Sequence, residues 1–582
     1  MFEKCFGRMA GYNANRLQKD IFAGILVGIV ALPLAMAFAI ASGVTPEKGL
    51  FTAIIAGAAI SIFGGSKVQV GGPTGAMVAI LSLIVIQYGT ENLLLAGLLA
   101  GLMLIAMGVL RAGAIIRFIP FPVTTGFTAG IAILIFTGQI NSFLGLTGIA
   151  RYSHFHLNFL ETVLNAPHLN HHAVATALIS LACVLIIPRL TEWVPASLVG
   201  MVAASVIAYE LGWNVETIGS RFGGIPRMLP MPKFPDLSFT SFLHVLQPAF
   251  TIAILGAIES LLSCVVADSK TGERHDSNKE LIGQGIANCL APIFGGIPAT
   301  GAIARTVTNI RNGGNSPVAG VMHAATLLII MVLFAPWAGR IPLASLAPIL
   351  MVVAWNMSEV HQIAHLLKGT RSDIAVLATT LLLTVFADLT VAVEFGLLMA
   401  AILFIKRMSD VQRVQKVLPD SSDPKCKVRA IDDKTADCPQ TTILTVEGAI
   451  FFGAAQKFEQ ETLEHIPTMK SLILRMGKVP VIDATGEKAL RSILEDSQKH
   501  KVVLLISGLQ PQPAQVLEST GLLALIGNEN VFARTGPALD FAISRMDVER
   551  CAECPSYVFR ECEALKYRGL QQFSKQQQNT VG

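Results

Sequence analysis

The sequence Gly295-Gly296-Ile297-Pro298-Ala299-Thr300-Gly301-Ala302-Ile303-Ala304-Arg305 lies between two apolar segments and ends in a charged side chain. Paired glycines and a proline interrupt a helix, and an arginine is costly in lipid unless protein or water surrounds it. An earlier stretch, Gly71-Gly72-Pro73-Thr74-Gly75-Ala76, repeats the paired glycines, the proline and the Thr-Gly-Ala triplet. The chain therefore contains two matching segments that are typical of broken helices.

Broken helices of this kind indicate a transport site. Non-helical backbone at membrane depth is tolerated only where it is buried in protein or lines a watery cavity. Two interrupted segments in corresponding positions of two halves point to a substrate site. Because a helix start presents free N–H groups and the positive end of its dipole, two converging starts favour a small anion.

The composition is that of a polytopic membrane protein. Of 582 residues, 52% are apolar and only 14% are charged, and the mean hydropathy is +0.58. A soluble protein of this length is more polar. The net charge of +4 comes without a dense basic run, which argues against nucleic-acid binding. Nine scattered cysteines indicate no disulfide framework.

The apolar segments predict an inverted repeat. Residues 1–20 carry four basic and two acidic side chains and are expected to stay cytoplasmic. The transmembrane domain is expected at residues 21–410, with seven spans in about 21–212 and seven in about 246–406. An odd number of spans per half means that the second half enters from the opposite side. We therefore expect 14 helical spans as 7+7 inverted repeats in the cell inner (plasma) membrane, with both termini cytoplasmic.

The C-terminal part has a different character. Residues 411–440 turn polar and are expected to form a linker. Over residues 441–546, short apolar runs alternate with helical patterns, which predicts a small α/β domain. Residues 547–582 form a tail that contains three cysteines, Cys551, Cys554 and Cys562. A CxxC pair with one more cysteine and no fourth ligand nearby is a weak metal signal, so we expect neither metal nor cofactor.

Glu259 is a carboxylic acid inside the apolar run Gly256-Ala257-Ile258-Glu259-Ser260-Leu261-Leu262-Ser263. An ionisable residue within a span is a functional hypothesis by default. Glu259 and Ser263 are four residues apart and share one helix face, which suits a site for a coupling ion or a proton. The alternative is structural, with Glu259 paired to Arg305 so that two helices are held together.

Taken together, these segments resemble the sulfate permease (SulP) family, or solute carrier family 26, over nearly the whole chain. Further motifs that carry the resemblance are Gly24 to Ser42 followed by Pro46 to Phe51, Gly126 to Gly130, Asn278 to Gln284 and Met351 to Glu359. Near the end, Asp483-Ala484-Thr485-Gly486 is similar to the Asp-x-Ser/Thr-Gly signature of STAS domains.

The resemblance implies a core domain that moves against a gate domain, and a cytoplasmic STAS domain. It places an anion between the broken helices, bordered by Thr74, Gly75 and Ala76 on one side, by Gly301, Ala302, Ile303 and Ala304 on the other, and near the positive charge of Arg305. Backbone N–H groups would make most of the contacts.

In the STAS domain, the resemblance implies a regulatory motif at Asp483, Thr485 and Gly486. We expect the Thr485 hydroxyl to satisfy backbone donors at a helix start. Phosphorylation of Thr485, as in related signalling domains, is left open.

The choice of coupling ion also comes from the resemblance. Sodium-coupled bicarbonate transporters of the family have Asp and Thr where Glu259 and Ser263 stand, and a hydroxyl residue where Ile303 stands. The Gly-Ala-Ile-Ala-Arg and Trp-Asn-Met-Ser-Glu runs look closer to an enterobacterial dicarboxylate-transporting member. We therefore expect a proton-coupled secondary transporter of sulfate, bicarbonate or a C4-dicarboxylate. The alternatives are sodium-coupled bicarbonate symport and an uncoupled anion channel or exchanger.

Two other classes are weighed. A membrane-tethered signalling protein would act through the STAS domain, and an intact membrane site speaks against it. An enzyme is disfavoured because the sequence shows no Ser/His/Asp, metal-ligand or phosphate-loop pattern. The expected partners are a small anion, a proton or sodium ion, the lipid bilayer and, by family resemblance, a second copy of the chain in a homodimer.

Overall fold

The computed structural model describes residues 13–114, 120–150, 152–191, 194–235, 239–387, 389–416, 438–466, 469–555, 558–559 and 562–568. Residues 1–12 of the expected cytoplasmic segment, 417–437 of the expected linker and 569–582 of the tail lie outside these ranges. The chain divides into two compact units, Met1–Ala400 and Ala401–Gly582.

The first unit is helical. Eight helical segments in its described part are long and apolar enough to cross a membrane, while the count of 14 spans stays a prediction. Its helices, together with the one that leads into the second unit, are α1 (Ala14–Ala41), α2 (Pro46–Phe63), α3 (Gly75–Val109), α4 (Phe121–Gly138), α5 (Ile140–Leu144), α6 (Phe155–Asn165), α7 (His171–Leu190), α8 (Ala196–Glu210), α9 (Ile218–Phe222), α10 (Phe239–Thr271), α11 (Ser277–Ile293), α12 (Ile303–Arg311), α13 (Pro317–Ala338), α14 (Leu343–Met357), α15 (Val360–Leu366), α16 (Arg371–Phe386) and α17 (Leu389–Val411).

Helix α3 contains two helical segments that meet at a glycine. Gly89 has φ 80° and ψ 171°, which lies outside the helical region. Glycine adopts this conformation more readily than residues with a side chain. The helix can therefore kink at this point without the backbone strain that a side chain would add, and its second half packs beside α11.

The two interrupted stretches form a short sheet inside the helical unit. Strand β1 (Gly71–Gly72) precedes α3, and strand β2 (Thr300–Gly301) precedes α12. The strands pair antiparallel, although more than two hundred residues separate them in sequence. Both helices therefore start from the same small sheet.

Close helix packing in this unit depends on small residues. Gly101 of α3 and Gly285 of α11 face each other, and a Cβ added to Gly101 would lie 2.7 Å from the Gly285 carbonyl oxygen. Within lipid, glycine contacts of this kind let two backbones approach, because dispersion attraction is the main force between apolar helices.

The second unit is a small α/β domain. A five-stranded sheet has the order β3-β4-β5-β6-β7, in which β3 is antiparallel to β4 and the other pairs are parallel. Its elements are β3 (Arg413–Lys416), β4 (Thr441–Glu447), α18 (Ala455–Leu463), β5 (Ser471–Lys478), α19 (Ala484–Lys499), β6 (Val503–Ser507), α20 (Pro511–Ser519), α21 (Leu522–Ile526), β7 (Val531–Phe532), α22 (Thr535–Ser544) and α23 (Val548–Ala552).

The central strands of this domain bury both faces. Successive side chains point to opposite sides of a sheet. Leu444 of β4 and Leu474 of β5 therefore pack on the face covered by α18 to α21, whereas Ile443 and Ile473 pack on the face covered by α22. Such strands read as continuous apolar runs, which is why the sequence pattern located them.

Two segments extend the domain beyond its expected limits. Residues 413–416, inside the expected linker, form β3, because the edge of β4 offers unpaired backbone groups to a strand. At the other end, Val558, Phe559 and Leu565 of the expected tail are buried against the second face of the sheet. That face would otherwise be exposed to water.

We predict that Gly101→Ala destabilises the protein. Alanine is normally the better helix former, but the added methyl group overpacks the contact with Gly285, at a cost of about 1–3 kcal/mol. The melting temperature of the purified protein in detergent should fall by several degrees.

Gly138→Ala is the matched control, since no atom lies within 4 Å of a Cβ built at that glycine in α4. Its melting temperature should stay equal or rise slightly. Equal melting temperatures for wild type and the Gly101 variant would contradict the packing argument.

Candidate functional site

The two strands β1 and β2 bring the broken helices together. Gly71 pairs with Gly301, and Gly72 pairs with Thr300. Beside the strands, the Thr74 and Thr300 hydroxyls are 2.9 Å apart and hydrogen-bonded. The pairing satisfies backbone groups that a membrane interior leaves without water. The stretches that the sequence analysis matched by pattern are therefore neighbours in space.

The starts of α3 and α12 both lack a side-chain cap. Thr74 precedes α3 and Ala302 precedes α12, and neither side chain caps its helix with a hydrogen bond. The first N–H groups of a helix have no partner inside the helix, and they carry the positive end of its dipole. Two uncapped starts, joined through β1 and β2, thus present backbone donors suited to an anion.

The expected border residues differ in exposure. Thr74, Gly75 and Ala76 are buried, and so are Gly301 and Ala302. The side chains of Ile303 and Ala304, in the first turn of α12, are exposed, Ile303 by 38%. The start of α12 is therefore the more exposed of the two helix starts.

The start of α3 is covered by apolar side chains from three other helices. A Cβ added to Gly75 would lie 2.8 Å from the sulfur of Met357, 3.3 Å from the Phe38 ring and 3.5 Å from Ile135. Glycine at this position lets these side chains reach the helix start.

Arg305 is buried behind the site, with 3% of its surface exposed. Its guanidinium donates to the carbonyl oxygen of Pro73 at 3.1 Å and lies 3.5 Å from that of Gly71. Gly72 makes this approach possible, because a Cβ there would lie 2.3 Å from the Arg305 Nη1 atom. The charge of one broken helix thus anchors the strand that leads into the other.

Glu259 does not pair with Arg305 in the described structure. The arginine uses its donors on backbone carbonyls, and no ion pair joins the two described side chains. Glu259 is only 7% exposed in α10. The next residue, Ser260, accepts a hydrogen bond from the Gly301 N–H at 3.1 Å, so this part of α10 lies directly against β2.

Ser263 also contacts the site indirectly. Its hydroxyl lies 3.4 Å from that of Thr306 in α12. The Thr306 hydroxyl in turn accepts from the Val70 N–H at 3.1 Å. Glu259 and Ser263 are therefore on a helix that touches both interrupted segments.

Glu280 is a buried acid whose role the sequence analysis missed. Its carboxylate accepts from the backbone N–H groups of Gly65 at 2.6 Å and Ser66 at 3.1 Å, and from the side-chain amides of Gln69 and Gln284, both at 3.0 Å. The charge is thus fully hydrogen-bonded. The four-residue spacing of Glu280 and Gln284 was the available signal, but their partners in the loop before β1 were not visible from sequence.

A Ser–His–Asp chain, absent from the sequence analysis, closes the turn between α10 and α11. His275 Nδ1 lies 2.7 Å from the Asp268 carboxylate, and the Ser277 hydroxyl lies 3.0 Å from His275 Nε2. The His275 backbone N–H also donates to Asp268. The carboxylate therefore fixes the turn through two groups of the same residue.

A cavity of about 390 Å³ begins one turn along α3 from Gly75. Val78 of α3 and Ile135 of α4 line its inner part, and Tyr152 and Asn158 line another part. An ion pair between Arg221 and Glu216, 3.1 Å long, also borders it. The cavity is large enough for a small hydrated anion.

The structure corrects the expected role of Thr485. Asp483, not Thr485, caps α19: its carboxylate accepts from the N–H groups of Thr485 at 2.9 Å and Gly486 at 2.8 Å. A second carboxylate oxygen accepts from the Phe452 N–H. A carboxylate is a strong helix cap because it carries charge, and the Thr485 side chain is left exposed.

Comparison with known proteins agrees with this architecture. The model of the sulfate permease family matches residues 17–380, and that of the STAS domain matches residues 433–538. The chain is 48% identical over 528 residues to YvdB of Bacillus subtilis (strain 168), a protein named for sulfate transport, with 90% of this chain and 98% of that protein covered.

Two further likenesses span most of the chain. It is 30% identical over 547 residues to the bicarbonate transporter BicA of a Picosynechococcus species, which covers 91% of this chain and 95% of BicA. The structure of the murine anion transporter Slc26a9 matches with a TM-score of 0.83 at 19% identity, over 93% of this chain and 94% of that one. The family predicted from the motifs is confirmed. The chain is a member of the sulfate permease family, with a helical membrane domain followed by a STAS domain.

Proposed function

We propose that this chain is a secondary active transporter of small anions of the sulfate, bicarbonate or C4-dicarboxylate class. The observation that carries the proposal is the meeting of two uncapped helix starts beside the charge of Arg305. The relatives support it, since YvdB is named for sulfate and BicA for bicarbonate. Because backbone donors recognise charge and size more than chemical identity, the fold accommodates several such anions.

We place the anion between the starts of α3 and α12. Thr74, Gly75 and Ala76 would border it on one side, where N–H groups of the first turn point towards it. On the other side, residues 301–304 would border it. The N–H groups of Ile303 and Ala304 would supply the matching donors there, because those of Gly301 and Ala302 already donate to Ser260 and Val70. Arg305 would act through its field, because its hydrogen bonds are already made to Pro73 and Gly71.

Transport would proceed by an elevator-like movement of a core domain against a gate domain. Hydrogen bonds support the core as one body, since Arg305 joins α12 to β1, Glu280 joins α11 to the loop before β1, and Ser260 joins α10 to β2. Contacts at Gly75 with Met357 and Ile135 are apolar. Apolar contacts can slide without leaving donors or acceptors unpaired.

Proton coupling through Glu259 is the coupling mode that we favour. A buried carboxyl without an ion pair to Arg305 can gain and lose a proton as its surroundings change between two states. Ser263 would share this site. Sodium-coupled bicarbonate symport is the alternative, and the likeness to the bicarbonate transporter BicA supports bicarbonate as its substrate. An uncoupled channel or exchanger is a further alternative.

We further propose that both termini are cytoplasmic in the inner (plasma) membrane and that the protein forms a homodimer. The basic residues of the first twenty positions support this orientation. In the STAS domain, Thr485 is exposed beside the cap formed by Asp483, so it is accessible to a regulatory modification.

We predict that Glu259→Gln abolishes proton-driven accumulation. Glutamine keeps the shape and cannot release a proton, so an inward proton gradient no longer drives uptake against the anion gradient. Uptake of labelled sulfate, bicarbonate and succinate into proteoliposomes, with an imposed proton or sodium gradient, measures this. Exchange of internal for external anion should persist in the variant.

Glu91→Gln, at an exposed position of α3, is the control and should accumulate anion like wild type. If wild-type uptake follows sodium and ignores protons, the sodium alternative replaces the proposal. If neither gradient causes accumulation, the protein is an exchanger or channel.

We predict that Arg305→Met weakens the binding of all transported anions. Removing the buried positive charge takes away its attraction for the anion, and we expect a loss of about 1.5–3 kcal/mol, or roughly a 10- to 150-fold rise in KM. Arg305→Lys retains the charge, so its KM should lie between those of wild type and the methionine variant.

Both variants also lose bonds to β1, and the melting temperature reports that structural effect. Arg311→Met, at the exposed end of the same helix, should leave KM unchanged. A methionine variant at position 305 with wild-type KM would show that the charge plays no part in anion binding.

A further inference from the structure

Four cysteines from two distant parts of the sequence meet in the second unit. Cys438 lies just before β4, while Cys551, Cys554 and Cys562 belong to the tail. All four line one cavity of about 20 Å³, together with Pro439, Gln440 and Met546. The volume is enough for a single water-sized occupant. The sequence showed three of these cysteines as a group, and folding adds the fourth.

A pair of hydrogen bonds holds the two cysteine-bearing segments together. The Gln440 side-chain amide donates to the Asp547 carbonyl oxygen at 3.0 Å and accepts from the Asp547 N–H at 2.8 Å. Gln440 therefore joins the start of β4 to the tail. These bonds hold the two cysteine-bearing segments close together.

N–H donors lie close to two of the sulfur atoms. The Gln440 amide also lies 3.3 Å from the Cys551 sulfur, and the Phe559 N–H lies 3.3 Å from the Cys562 sulfur. Such donors orient and tune sulfur ligands in metal–thiolate sites.

The thiols also act on one another electrostatically. All four side chains line the same small cavity, so four thiolates there would repel one another. Four thiolates cannot share so small a space without a cation to compensate their charge. A divalent metal ion supplies that compensation and favours the thiolate form.

We propose that Cys438, Cys551, Cys554 and Cys562 bind one Zn²⁺ ion in a tetrahedral four-thiolate site. Four thiols lose four protons as four zinc–sulfur bonds form, which leaves a complex of net charge −2 with no change of oxidation state. Structural zinc sites are tetrahedral and use this ligand set, with two of the ligands in a CxxC pair.

Closure of the site would require the cysteine side chains to move. Among the described residues, no three His, Cys, Asp or Glu side chains are already close enough together to hold a metal ion. Rotation about the Cα–Cβ bond moves a cysteine sulfur without displacing the backbone. The metal would draw the sulfurs inward from the positions that they hold around the cavity.

The site would clamp the tail to the STAS domain. The STAS family model ends at residue 538, and three of the four ligands lie beyond it. The buried Val558 and Phe559, which cover one face of the sheet, lie between the second and third of those tail ligands. A metal bond on each side would hold this cover in place. The proposed role of the metal is structural and is independent of the transport site.

The test is the metal content of the full-length protein, purified in detergent with a tag that does not bind metals. Elemental mass spectrometry should find about one zinc ion per chain in wild type. The Cys438→Ser variant should lose most of this zinc. Cys183→Ser, which alters a cysteine of the first unit, should keep the metal. Wild-type protein without metal, or full zinc content in the Cys438 variant, would overturn the proposal.

Further measurements keep the result interpretable if the Cys438 variant fails to fold. A mercurial reagent added to wild type should release about one equivalent of zinc to a coloured chelator and lower the melting temperature. Protein produced with cobalt should show the strong charge-transfer absorption of a four-sulfur site. A visible iron–thiolate spectrum, or a disulfide between any two of the four cysteines under non-reducing mass spectrometry, would refute the zinc assignment.

Discussion

The pairing of β1 with β2 is the constraint on which the helical unit depends. An interrupted helix leaves backbone N–H and C=O groups that lipid cannot hydrogen-bond. Here each interruption supplies the partner of the other, through Gly71 with Gly301 and Gly72 with Thr300. The two helices can therefore start inside the protein, with their first N–H groups uncommitted, and the candidate site exists because of that start.

Buried charges stabilise this arrangement through backbone groups instead of through each other. Arg305 donates to carbonyl oxygens on the strand of the opposite broken helix, and Glu280 accepts from N–H groups in the loop before that strand. The positive side chain thus binds carbonyl oxygens, and the negative side chain binds N–H groups, of the segment that leads into α3. This leaves Glu259 outside any ion pair with Arg305 in the part of the chain that the structure describes.

The STAS domain is built around a sheet with two apolar faces. Apolar side chains alternate along β4, β5 and β6, so both faces require a cover. Helices α18 to α21 cover one face, and α22 with the tail residues Val558 and Phe559 covers the other. The cysteine cluster lies where the tail meets the start of β4.

The sequence by itself determined the two interrupted helices, the membrane character and the α/β domain, because glycine, proline and a charged residue within apolar runs are local signals. It did not determine the partners of Arg305 and Glu280, the capping of α19 by Asp483 instead of Thr485, or the meeting of Cys438 with the tail cysteines. Only the tertiary structure decided these, because each contact depends on where the backbone places its groups in space, which side-chain types and their spacing along the chain do not specify.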